Sequence, residues 1–248
     1  METEALRADP KPGRDAPGPV GWTLTEAAWV LLIFLATPVL ISLVLGGRPR
    51  SPLQAALLLP GPHLVLGVAT LLWVRARSKD GIRRLVGLER PSVRAAIAGL
   101  VYGVLGTLVL TFAIGFLLQA LVHAFGSQVP PVQRSLRELT TGPAAPLASL
   151  VIVAIAPLAE ELFFRGMLFQ AFERWFGTWL SAVASAGVFA IQHAEPDLLA
   201  SVIVVVPVFL FGVYLALIFR RCGTIITPII AHMLFNGFGV LFIRAGVG

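Results

Sequence analysis

Residues 143–176 read PAAPLASLVIVAIAPLAEELFFRGMLFQAFERWF. Everything from Pro143 to Ala159 is apolar or small, and then Glu160, Glu161 and Arg165 arrive inside the same run. A helix needs roughly 20 apolar residues to cross a hydrocarbon core of about 30 Å, and this run has that length. In lipid the backbone must satisfy its own hydrogen bonds, so the run is expected to be helical. Insertion scales charge about 2.5–3.5 kcal/mol for one ionised side chain at the centre of such a helix. Three unpaired charges would cancel much of what the neighbouring Leu and Phe contribute. Their partners are therefore the main question that the sequence poses.

Six further apolar stretches flank this one, at 22–46, 53–74, 95–125, 177–193, 198–219 and 224–243. The composition agrees with a chain that mostly meets lipid: 57% of residues are hydrophobic, only 13% are charged, and the mean hydropathy is +0.86. The fold class expected is all-α, a polytopic transmembrane helix bundle of seven spans, or eight if the 143–176 segment divides at Pro157. Residues 1–21, rich in proline and charge, are expected to form a disordered tail that is retained. Residues 22–248 then form a single transmembrane domain.

A formal net charge of +6 would suggest nucleic acid as the partner of a soluble protein. Here, however, seven of the 19 basic residues fall between residues 75 and 94, in one loop between spans. An excess of Lys and Arg marks a cytoplasmic loop, so the pattern reads as topology, with the N-terminus cytoplasmic in a cell membrane. Nucleic acid is not an expected partner. The lone cysteine, Cys222, excludes an intrachain disulfide and a thiol-rich metal site.

Part of the compensation for the buried charges is local. Glu161 and Arg165 stand at i and i+4, with the acid toward the N-terminus, which is the favoured order for pairing along a helix. Glu160 projects about 100 degrees away and needs another partner. The bland alternative is that all three glue helices together or mark a helix end. By default, though, an intramembrane carboxylate is a functional hypothesis.

Position along the helices points to His193. Counting about 1.5 Å per residue from a turn near Gly177, Glu160 and His193 both lie about 24 Å from that turn, and antiparallel packing would put them level. Phe189, one turn before His193, would wall the same face. The last span adds His232 and Asn236, again at i and i+4 and so on one face. Alone, these would read as interhelical hydrogen-bonding groups. Taken together, polar groups from three helices at similar depth suggest one shared wet cavity. His63 and His123 lack such company and are read as structural.

In these residues the sequence resembles the CAAX proteases and bacteriocin-processing enzymes, whose pattern is Glu-Glu-x3-Arg, Phe-x3-His and His-x3-Asn on successive helices. Here these are Glu160-Glu161-x3-Arg165, Phe189-x3-His193 and His232-x3-Asn236. The resemblance covers about the last 100 residues, with a motif-bearing core at about 143–244. It implies peptide hydrolysis without a covalent intermediate. Glu160 would act as general base on a water that His193 positions, and His232 and Asn236 would donate to the oxyanion. Glu161, Arg165 and Phe189 would be supporting residues. It implies no cofactor, and its substrate would be a peptide or protein at or in the bilayer.

Two rivals stay open. Glu160, His193 and His232 could instead ligate zinc in a three-ligand catalytic site. The cavity could also serve binding alone, in an immunity, scaffold or transport protein. Neither His-Glu-x2-His, Gly-x-Ser-x-Gly nor a phosphate loop occurs in the chain.

Overall fold

The computed structural model describes residues 21–86, 92–124, 126 and 134–246. Most of the expected tail, residues 1–20, lies outside them. Among the described residues there are helices and no strands. Six helices are long and apolar enough to cross a membrane: Leu24–Leu45, Pro52–Arg77, Val93–Ala124, Ala145–Ile191, Leu198–Cys222 and Ile226–Arg244.

The difference from seven lies in Ala145–Ile191, whose 47 residues form two arms rather than one rod. Gly177 breaks the helical dihedrals with φ 67° and ψ 174°, a conformation essentially restricted to glycine. Beyond it the chain turns back on itself. The Ser185 hydroxyl donates to the Phe164 carbonyl at 3.1 Å, and the Phe164 and Phe189 rings meet edge to face at 5.0 Å. A straight helix would hold residues 164 and 185 about 31 Å apart, at about 1.5 Å per residue. The hairpin expected at Gly177 is therefore present, so among the described residues the bundle has six membrane-length helices, one of which folds into two arms.

Pro157 does not divide the first arm. Proline removes one backbone donor and crowds the carbonyl four residues earlier. The chain answers with a π-helical segment, Val151–Ile155, immediately before the helix Ala156–Glu161. A second π-helical segment, Leu162–Phe169, carries Arg165. Such wide turns concentrate at functional sites. This hairpin is also the centre of the bundle: 56% of its apolar stretch is buried, against 6% for the first span.

The first span, α1 (Leu24–Leu45), starts on a capping box. The Thr23 hydroxyl accepts from the Glu26 N–H and the Glu26 carboxylate accepts from the Thr23 N–H. The second span consists of α2 (Pro52–Leu58) and α3 (Pro60–Arg77), jointed at Leu59. Span three begins as the helix Val93–Thr107, where Gly99 and Gly103 lie one turn apart against the last helix. A Cβ on Gly99 would stand 2.8 Å from Ile230 Cβ, and one on Gly103 would stand 2.9 Å from Ala231 Cα. Small residues at this spacing let membrane helices approach closely. Thr227 completes the contact by donating to the Ala95 carbonyl at 3.2 Å.

One end of the bundle is basic. There Arg174 donates to the Trp22 carbonyl at 2.9 Å, Arg220 pairs with Glu173 at 2.9 Å, and Arg77 pairs with Glu26. Trp175 and Trp179 are exposed beside the Gly177 turn, as befits an interfacial aromatic belt.

Candidate active site

The Glu-Glu pair lies deep in protein. Glu161 and Arg165 are almost fully buried, with side-chain exposures of 0% and 1%. The guanidinium donates to Glu161 Oε1 at 2.7 Å, as the i, i+4 spacing predicts. It also donates to the Gly212 carbonyl at 3.1 Å on the helix Leu198–Cys222. Its other face lies over the Phe189 ring, 4.9 Å from the centroid. Arg165 thus ties three helical arms together, and Phe189 does wall the site.

Glu161 has a second partner. The Nδ1 of His232, on the last helix Ile226–Arg244, lies 2.8 Å from the same Oε1. Because a carboxylate oxygen accepts, Nδ1 carries the hydrogen, and Nε2 is the nitrogen left for other work. The ring is fixed further by edge contacts with Phe189 at 5.7 Å and Phe211 at 5.4 Å. His232 Nε2 stands 3.7 Å from Glu160 Oε2. The carboxylate that lacked a local partner therefore finds one on another helix, within reach of a single bridging water.

The same cavity, of about 660 Å³, is lined by Glu160, His193, His232 and Asn236 together with apolar side chains including Phe211 and Val208. His193 Nδ1 donates to the Phe189 carbonyl at 3.0 Å, leaving Nε2 as its free nitrogen. The depth match between Glu160 and His193 thus brings both to one cavity. Asn236 arrives as well, but one amide hydrogen is committed to the Ile152 carbonyl at 2.9 Å, within the π-helical segment. One hydrogen of that amide remains for a ligand.

The reading of His63 as structural needs correction. Its Nε2 lies 3.5 Å from Glu160 Oε1, and it lines the same cavity. No polar residue stands one turn from His63 on its own helix, and its company comes from across the bundle. An ionisable residue inside an apolar span was the available signal. His123, near the end of the third span, is exposed and takes no part. Among the described residues, no three His, Cys, Asp or Glu side chains are grouped so as to hold a metal ion.

Comparison with known families adds to this geometry. Residues 142–238 match the family described as type II CAAX prenyl endopeptidase Rce1-like. All three motifs lie inside the Rce1-like region, in the order given above. A 98-residue stretch is also 31% identical to an uncharacterized 24.3 kDa protein of Escherichia coli, covering 39% of this chain and 44% of that protein. The chain thus spans less than half the length of that relative. No solved structure matches the chain significantly. The Rce1-like match supports peptidase activity for a chain built of membrane-length helices, and it leaves His63 outside.

Proposed function

We propose that the protein is an intramembrane endopeptidase of the glutamic type, hydrolysing a peptide bond of a membrane-associated substrate. The observation that carries this reading is the position of Glu160: it borders a cavity within the bundle, with an imidazole nitrogen opposite each carboxylate oxygen. Such a carboxylate is placed to take a proton from a water bound between it and the imidazoles.

In this mechanism the water oxygen bonds to the peptide carbonyl carbon as Glu160 accepts its proton. The Glu160 proton then passes to the nitrogen of the departing amine as the C–N bond breaks. His193 accepts a hydrogen bond from the water through Nε2 and aims it. The remaining Asn236 N–H stabilises the oxyanion, a contribution worth about 2.7–4 kcal/mol per donor where water is excluded, whereas neutral His232, with its hydrogen on Nδ1, offers Nε2 only as an acceptor. Glu161 and Arg165 hold His232 and the helix in place. No covalent intermediate and no nucleic-acid partner are involved.

The cavity is bordered by residues 192–195, by Leu59 and by Leu136 and Leu139 of the helix Arg134–Thr141, all remote from the basic end of the bundle. With the basic end and N-terminus cytoplasmic in the plasma membrane, substrates would reach Glu160 from the opposite side.

The test is cleavage of a membrane-peptide library by purified wild type, Glu160→Ala and His193→Ala, each with and without chelator. Cleavage by wild type alone, indifferent to chelator, supports the proposal. Stoichiometric zinc lost together with activity would transfer the reading to a zinc protease, and no cleavage by wild type would leave a binding protein.

A further inference from the structure

The Rce1-like match begins at residue 142, yet one of the two imidazoles on Glu160 comes from far upstream. His63 stands in the first turn of α3, in the sequence Pro60-Gly61-Pro62-His63. Its ring is oriented by two contacts. Nδ1 donates to the Leu59 carbonyl at 3.1 Å, and the ring meets Phe34 of α1 edge-on at 6.0 Å. A carbonyl can only accept, so Nδ1 holds a hydrogen and Nε2 is the nitrogen turned to Glu160.

The arrangement repeats that of His232. Each ring is anchored through Nδ1, to a carbonyl or to Glu161, and each presents Nε2 to a different oxygen of Glu160: His63 to Oε1 and His232 to Oε2. The formal charges point the same way. Glu160, Glu161 and Arg165 sum to −1 in a poorly solvated site, where an uncompensated charge is costly. A second proton on the His63 ring brings the group to neutrality and places a donor between Nε2 and Oε1.

We propose that His63 is a positioning residue of the peptidase site: through Nε2–H it holds Oε1 of Glu160, so that Oε2 is the oxygen that takes the proton from water. This rests on the function proposed above. His63 keeps its own proton throughout; only the water's proton moves, first to Oε2 and then to the leaving amine. The N-terminal half of the bundle thus supplies part of the active site, and the matched region alone is incomplete.

The experiment uses full-length protein in nanodiscs with a peptide that wild type cleaves. His63→Ala is expected to lose about 10- to 100-fold in kcat, the range of a hydrogen bond to a charged group, with KM little changed. His63→Gln, which keeps a donor, should recover part of that loss. Imidazole added to His63→Ala should recover part as well, because the ring borders the cavity. His63→Phe fills the space without a donor and should stay as low as His63→Ala, and His123→Ala should match wild type. An undiminished kcat in His63→Ala, or His63→Phe as active as His63→Gln, would overturn the assignment.

If wild type cleaves nothing, the contact is still open to measurement. With 15N-labelled histidine, the His63 ring should show both nitrogens protonated and should change on Glu160→Gln. A singly protonated ring that ignores that substitution would overturn the contact.

Discussion

Glu161 and His232 meet across two helices, with the ring Nδ1 2.8 Å from the carboxylate Oε1. That oxygen also accepts from Arg165 at 2.7 Å, so one buried atom fixes both a cation and an imidazole. Breaking a buried pair from one side leaves the other charge stranded, at a cost of about 3–5 kcal/mol, whereas removing both sides costs much less. Arg165→Met and Glu161→Gln should therefore each lower the unfolding midpoint in detergent markedly, and the double variant should fall by less than their sum. Additive losses would show that the pair is not coupled.

Gly177 is predicted to tolerate no side chain, for a reason confined to the backbone. A Cβ there would meet nothing within 4 Å, but φ is +67°. Gly177→Ala should cost about 1–3 kcal/mol of stability. Gly187 is the control, with open space around it and helical dihedrals. Gly187→Ala should be neutral or should stabilise by up to about 1 kcal/mol. Thermal unfolding of the two variants side by side reads the difference.

The close approach of Gly103 to the last helix sets the position of His232. A Cβ at Gly103 would fall 2.7 Å from Leu234 Cδ1 and 2.9 Å from Ala231 Cα, the residue before His232. Gly103→Ala should push that helix outward, and a displacement of about 1 Å can lower kcat by up to about 100-fold. Gly187→Ala, which meets open space and does not border the cavity, should leave kcat unchanged. Peptide turnover by the two variants checks this.

Much of the fold could be read from the sequence because lipid enforces simple rules. Apolar length gives spans, and the Gly177 hairpin and the Glu161–Arg165 pair follow from chain turns and from the i, i+4 spacing. At Pro157 the helix continues because a π-helical segment immediately before it accommodates the proline, which no residue pattern announces. Glu160, His193, His232 and Asn236 were legible as motifs, and counting residues from a turn placed the first two at one depth. His63 was not legible by that route. Its contact with Glu160 depends on how α3 packs against the hairpin, and spacing within a helix carries no information on that.

The side of the cavity is open to a direct check. Pro196 is exposed in the segment beyond His193, at the end of the bundle remote from Arg77, Arg174 and Arg220. With the basic end on the cytoplasmic side, as proposed above, Pro196→Cys in a Cys222→Ser background should react in intact cells with a thiol reagent that cannot cross the membrane. Labelling only after the cells are opened would reverse the topology.

Glu160→Gln tests the central claim most directly, since it keeps the size and hydrogen-bonding reach of the side chain and removes the base. The account predicts that kcat on a peptide cleaved by wild type falls by about 100- to 10,000-fold, the usual worth of a positioned general base, while the unfolding midpoint holds or rises. Undiminished turnover by Glu160→Gln would contradict it.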